Sequence, residues 1–339
     1  MRVLVTGGTG FVGAWTAKAA VDAGHEVRFL VRNPDRLQTS AAQIGLDVSD
    51  FRLGDITDAD SISQAMDGCD SVVHAAAVVA TDPSRAEEMI ATNMLGAENV
   101  LGTAAALGLD PIVHVSSFTA LFRPGLEMLR ADLPVVGGTD AYGRTKSQVD
   151  LYARGMQDGG APVVITYPGM VLGPPAGDQF GEAADGVESA LKMRMLPGRS
   201  AAWTVVDVRD LAAVHAALLE PGRGPRRYMV GGKRIPIGSI AEMLRKITGT
   251  TVLPVPVPDL ALRLLGRASD IVDSVSPIET PVSRSPISEA AMQYYTQMPP
   301  SDDSPSEKDL GVHYRGSLDT LDATVAGLRS VGRLSPSSA

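Results

Sequence analysis

A single cysteine, Cys69, in 339 residues excludes an intrachain disulfide and any zinc site built on paired thiolates. Aromatic residues are only 4% of the chain, so aliphatic side chains must fill most of the core that a 44% hydrophobic content allows. No dense run of Lys or Arg occurs, and the formal net charge is −9. Without a basic face to neutralise phosphates, a nucleic-acid partner is not expected. His25, His74, His114, His215 and His313 are scattered without metal-ligand spacing, so no metal is expected. No apolar run approaches the roughly 18–20 residues needed to span a bilayer. Residues 1 to 13 read as a strand and a glycine turn, not as a charged segment leading into an apolar leader. These absences predict a globular protein of a reducing cytoplasm with no transmembrane segment.

What is present is a rhythm. Over the first 170 residues short apolar runs alternate with longer amphipathic stretches, the pattern of βαβ units and a parallel sheet. Strands are predicted at 2–6, 26–31, 51–53, 71–74, 112–116 and 163–166, with helices at 11–23, 58–66, 87–107 and 142–157. Right-handed crossovers then give a Rossmann-type, doubly wound α/β fold with helices on both faces. After Pro168 the rhythm changes: Gly173-Pro174-Pro175 interrupts it, and an irregular stretch runs to about Arg199. Trp203 to Val206 reads as a strand, Asp210 to Leu219 as a helix, and Arg227 to Val230 as the last strand of the main sheet. A helix at 237–248 closes on Gly249, and another apolar helix follows near 260–265. The expected domains are a dinucleotide-binding unit over 1–172 and 201–232, and a smaller, mostly helical substrate lobe over 173–200 and 233–335. Residues 274–306, rich in Ser and Pro, are a candidate linker or flap with a helix over 289–297 inside.

Between the first strand and helix stands Thr6-Gly7-Gly8-Thr9-Gly10-Phe11-Val12-Gly13. A dinucleotide-binding turn needs one glycine for the tight turn, one for backbone approach to the pyrophosphate, and one for close packing of helix on strand. Gly7, Gly10 and Gly13 fit, and the following helix offers free N–H groups and a positive dipole end to phosphate. NAD-preferring folds usually present an acid after the second strand, to meet the ribose hydroxyl. Here that strand ends in Val31-Arg32-Asn33-Pro34, with Arg36 close behind. A guanidinium there suits a 2′-phosphate, which favours NADP(H) and leaves NAD(H) open; solvated loop arginines are the other reading.

Tyr142 and Lys146 lie four residues apart at a helix start, on one helical face. An ammonium near a phenol, helped by an oxidised nicotinamide, would lower the phenol's pKa and make Tyr142 a general acid in reduction and a base in oxidation. Ser116 and Ser117 end a sheet strand, where a hydroxyl can hold a substrate carbonyl. Taken singly, each of these pairs is also ordinary surface helix or strand-end capping.

In order along the chain these segments resemble the extended short-chain dehydrogenase/reductase family, in the NAD(P)-dependent epimerase/dehydratase superfamily. The resemblance runs from Val3 to about Leu334. Its glycine motif is Thr6 to Gly13, its Gly-Asp is Gly54-Asp55, and its apolar segment is His74-Ala75-Ala76-Ala77. Its helix Asn is Asn93 with Gly96 to Val100, its paired serines are Ser116-Ser117, and its Tyr-x-x-x-Lys is Tyr142 to Lys146. Its Pro-Gly is Pro168-Gly169. The resemblance implies Ser117, Tyr142 and Lys146 as catalytic residues, with Lys146 also binding the nicotinamide ribose. It implies that Asp55 and Ile56 lie at adenine, that Ala75 to Ala77, Asn93 and Ser116 lie along the cofactor, and that Pro168, Gly169 and Val171 line the nicotinamide. Asp207 and Asp210 match a segment that is more often structural.

Val31-Arg32-Asn33-Pro34 and Tyr167-Pro168-Gly169 are most similar to the dihydroflavonol reductase and cinnamoyl-CoA reductase branch. That branch implies carbonyl reduction, or the reverse oxidation, on a small and moderately apolar substrate. Phe122 stands where a flavonoid-contacting asparagine is typical; with Met170, Val171 and Leu172 it suggests an apolar pocket or, equally, core packing, and Ser117, Phe122, Tyr142 and Met170 are the candidate substrate contacts. A sugar-nucleotide epimerase or dehydratase, a 3β-hydroxysteroid-type dehydrogenase and a non-catalytic dinucleotide sensor are the alternatives. Relatives of this kind imply a homodimer through the helices near 87–107 and 142–157.

Overall fold

The computed structural model describes residues 1–78, 86–138, 140–275 and 288–335, with side chains omitted over 272–275. The first half runs β1 (Arg2–Thr6), α1 (Phe11–Asp22), β2 (Glu26–Val31), α2 (Pro34–Ala42), β3 (Phe51–Leu53), α3 (Ala59–Met66), β4 (Ser71–His74), α4 (Ala86–Ala106), β5 (Ile112–Val115), α5 (Ala141–Asp158) and β6 (Val163–Pro168). The second half runs β7 (Met170–Leu172), α6 (Ala183–Met193), β8 (Met195–Pro197), β9 (Ala202–Asp207), α7 (Val208–Ala217), β10 (Arg226–Val230), β11 (Lys233–Pro236), α8 (Ile237–Thr248), β12 (Leu253–Val255), α9 (Asp259–Val275), α10 (Glu289–Gln297), α11 (Ser304–Leu310) and α12 (Ser317–Ser330).

Seven strands form one parallel sheet in the order β10-β6-β5-β4-β1-β2-β3. Central strands of such a sheet must be apolar on both faces. Accordingly Leu4, Val72, Ile112 and Ile165 face the layer of α3, α4 and α5. Their sequence neighbours Val3, Val5, Val73, Val113 and Val164 face the layer of α1 and α7. The strand order reverses between β1 and β4, which opens a crevice at their carboxyl ends.

The strand expected at 203–206 exists as β9, but it leaves the main sheet: it pairs with β7 and β11 in a separate three-stranded sheet. Trp203 and Val205 from it, with α6, α8 and α12, form the third apolar core. Of the stretch read as a linker or flap, residues 276–287 lie outside the described residues. The remainder holds the end of α9, all of α10, capped by Ser288, and the start of α11. Leu129 N–H donates to Pro300 C=O and Asp302 N–H to Leu129 C=O, both at 2.9 Å, so this segment is joined to the main domain. Among the described residues no helix is long and apolar enough to cross a membrane.

Candidate active site

The glycine turn lies at the topological switch. Gly7 has φ +79°, and a Cβ there would come within 2.6 Å of Ala76 N, so only glycine lets the two backbones touch. A Cβ on Gly13 would lie 2.6 Å from the Gly7 carbonyl carbon, which is the close helix-to-strand contact the motif needs. At Gly10 it would meet only Gly7 O, at 3.3 Å, so this backbone is open to an approaching ligand. Gly10 caps α1 without a side-chain bond and no acid occupies the first turn. The free N–H groups and the helix dipole thus favour an anion. Phe11 is buried, and a Cβ on Gly181 would touch its ring at 3.2 Å; Val12 is half-buried beside the core. Thr6 Oγ1 lies 2.8 Å from His74 Nδ1 and accepts from Ala76 N–H at 3.4 Å, tying the ends of β1 and β4. These residues fit a dinucleotide pyrophosphate.

At the ends of β2 and β3, Arg32 is 73% exposed and lies 3.5 Å from Asp55. Asp55 Oδ1 also accepts from Thr57 N–H and Oγ1, both at 2.9 Å. Burial works against its charge, but the Thr57 hydrogen bonds and Arg32 outweigh it and hold the carboxyl below its ordinary range. The residues expected at 2′-phosphate and at adenine are therefore paired with each other. Arg36 is exposed, and its N–H donates to Asn33, the cap of α2. Ile56 packs against Gly96, and its carbonyl accepts from Asn99 at 3.0 Å. Asn93 spends its amide on the backbone of Val78, accepting at 2.7 Å and donating at 2.8 Å. It therefore fixes the segment after Ala75, Ala76 and Ala77 from behind.

Ser117 lies two residues beyond β5 and caps a short 3-10 helix over Phe118–Ala120, accepting from Thr119 N–H at 3.3 Å. Asp140 caps α5 by accepting from Gly143 N–H at 2.6 Å, which sets Tyr142 in the first turn facing Ser117. The Ser117 hydroxyl is near enough to the Tyr142 phenol to favour its ionised form. Lys146, 8% exposed, donates to Val115 C=O at 3.1 Å and lies 5.8 Å from the Tyr142 ring centroid. Ser116 Oγ is buried without a hydrogen-bond partner. Beneath the set, His74 and His114 stack at 5.7 Å. Burial and the Lys146 charge bring His74 down to about 3, so it is neutral.

The electrostatics differ from the expected lowering of the Tyr142 pKa by Lys146. Burial pushes the phenol up, helped by Glu182 and Asp140; the Ser117 hydroxyl opposes this. The ammonium is directed to a backbone carbonyl, and burial lowers it to about 8, with Asp150 opposing. In the protein alone the phenol is thus neutral and able to donate.

Pro168 ends β6, and a Cβ on Gly169 would lie 2.7 Å from Thr204 O. Met170 and Val171 follow on β7, both half-buried. Phe122, expected to line a pocket, is only 1% exposed; it is core, packed edge-on to Phe118 and Tyr294. Sequence reasoning missed Tyr294 of α10 and Glu182. A Cβ on Gly143 would come within 3.1 Å of the Tyr294 hydroxyl, and Glu182 acts on Tyr142 through its charge. Neither carries a local motif, because chain return alone brings them here.

Comparison with known proteins places this geometry. The profile of the NAD dependent epimerase/dehydratase family matches residues 3–231. Sterol demethylase protein B of Methylococcus capsulatus is 32% identical over 277 residues, covering 77% of each chain. Cinnamoyl-CoA reductase 1 of Arabidopsis thaliana is 28% identical, over 76% of this chain and 78% of that one. UDP-glucose 4-epimerase from Bifidobacterium longum, solved with NAD+ and UDP, superposes with a TM-score of 0.73 at 17% identity, over 97% and 98% of the two chains. That last likeness shows the fold alone.

Proposed function

The chain belongs to the NAD dependent epimerase/dehydratase family and is an NAD(P)-dependent oxidoreductase, and from that premise we propose that it reduces a carbonyl, or oxidises the matching alcohol, with NADP(H). The observation that carries this reading is the convergence of Ser117, Tyr142 and Lys146 beside the open glycine turn. A bound nicotinamide dinucleotide supplies or accepts the hydride. The chain's own groups manage the oxygen and its proton. Ser117 holds the substrate oxygen, and Tyr142, neutral in its buried seat, donates a proton to it in reduction and takes it back in oxidation. Lys146 places a positive charge beside the phenol as that proton leaves. The preference for NADP(H) rests on Arg32, which can exchange Asp55 for a 2′-phosphate, with Arg36 beside it. Half-buried Met170 and Val171, which follow Pro168-Gly169, suit a small, moderately apolar substrate. A second copy would pack against α4 and α5, where Leu95 and Leu151 are exposed.

The test is to supply ketones and aldehydes with NADPH or NADH and follow nicotinamide absorbance. Stoichiometric loss, faster with NADPH, is expected, and Tyr142→Phe should lower kcat by about 100-fold or more. Turnover without net loss would instead favour an epimerase or dehydratase. Unchanged activity of Tyr142→Phe on the same substrate would refute the assignment of the acid.

A further inference from the structure

We propose that Asp150, one turn of α5 beyond Lys146, is a positioning residue that keeps the Lys146 ammonium charged, and that Arg154 and Tyr167 hold Asp150 in place. The inference rests on reading Lys146 as part of the reacting set. Tyr142, Lys146, Asp150 and Arg154 recur at every fourth position of one helix, so they share a face. Away from the crevice they read phenol, ammonium, carboxylate, guanidinium.

Asp150 is 0% exposed. Its Oδ2 accepts from Arg154 Nε at 2.9 Å and from the Tyr167 hydroxyl at 3.2 Å. Arg154 also donates to that hydroxyl at 2.8 Å and to Leu133 C=O at 2.9 Å, which locks the guanidinium. A purely structural pair would account for Oδ2, but Oδ1 is buried with no hydrogen-bond partner. Burying a carboxylate with one oxygen bare is costly, so a use for its charge is called for. Lys146 supplies one.

The groups facing each partner make the direction clear. Lys146 meets Tyr142 and Asp150 on its own helix, and His74 and His114 from the sheet, both held neutral by burial. Burial raises the Asp150 carboxyl, and Arg154 on α5, Tyr167 on β6 and Arg227 on β10 oppose that rise and favour its charge. Burial lowers the Lys146 ammonium to about 8, and Asp150 is the charge that opposes it. Without that charge the ammonium would lose its proton close to neutral pH, where the phenol beside it needs a cation.

The test uses full-length protein labelled with 13C-lysine, without ligand. The Lys146 side-chain NMR signal, assigned by its loss in Lys146→Met, is followed against pH. The wild-type midpoint should lie near 8. Asp150→Asn should lower it by about one pH unit or more, and Asp150→Glu should restore most of it. If Asp150→Asn is unfolded by circular dichroism, Asp150→Asn combined with Arg154→Gln removes both buried charges, and a fall in the same direction but smaller is expected, because the lost guanidinium partly offsets the lost carboxylate. An unmoved midpoint in either folded variant overturns the proposal. The titration needs no turnover, so its outcome is separate from that of Tyr142→Phe.

Discussion

Acid should weaken this protein through its interior histidines. His74, His114 and His215 are 3%, 2% and 0% exposed. His215 lies between Thr16 Oγ1 at 2.8 Å and Thr166 Oγ1 at 3.0 Å, joining α1, α7 and β6. His74 meets Thr6, and His114 has no hydrogen-bond partner on either ring nitrogen. Burial brings His74 and His215 down to about 3 and His114 well below its ordinary value. The folded rings stay neutral, while the unfolded chain takes up protons near pH 6.5. The unfolded state therefore binds more protons as pH falls below about 6.5, and stability drops with pH. Each ring contributes about 1.4 kcal/mol per pH unit in that range. All three give a limiting slope of about 4 kcal/mol per pH unit, against a total stability of about 5–15 kcal/mol. Asp150, Asp210 and Asp303, raised by burial, act in the opposite sense as pH falls through their own titrations. Urea unfolding between about pH 7.5 and 5.5, followed by Trp15 and Trp203 fluorescence, measures the slope before most carboxyls protonate. His215→Gln should remove about one third of it. A slope under about 1.4 kcal/mol per pH unit at the acid end would show that the rings titrate freely and refute the reasoning.

Two further outcomes follow from the cofactor cradle. Gly13→Ala sets a methyl 2.6 Å from the Gly7 carbonyl carbon, so either α1 or the turn must shift. NADPH affinity, read by fluorescence titration, should fall at least about tenfold with the rest of the fold intact; wild-type affinity would count against the cradle. Asn93→Ala leaves Val78 N–H and C=O without their partner and should cost about 1–3 kcal/mol. Thermal unfolding and NADPH titration would show a lower Tm together with weaker binding, and no change in either would remove Asn93 from the support of the cofactor segment.

Much of the main sheet was readable because a buried parallel strand is a short apolar run between helical patterns. Val72 and Val73 in β4 and Ile112 and Val113 in β5 announce themselves in this way. The glycine turn was readable because its constraints are local: a positive φ at Gly7 and missing side chains at Gly10 and Gly13. Helical spacing put Tyr142 and Lys146 on one face, and the family resemblance singled them out. The ion pair of Arg32 with Asp55 was not, because it joins the ends of β2 and β3. Nor was the burial of Phe122, since an aromatic after Ser117 suits a pocket wall as well as a core until Tyr294 returns to cover it.

By itself, then, the sequence determined the strands of the main sheet and most helices between them, and the glycine turn, all of them set by neighbours within a few residues, while α2, α6 and β8 escaped it. Tertiary structure decided which charges the reacting groups feel. The neutral phenol of Tyr142, the lowered ammonium of Lys146 and the raised carboxyl of Asp150 owe their shifts to burial beneath β5, β6 and α10. Desolvation is a property of the surrounding volume, and residues distant in the chain supply that volume.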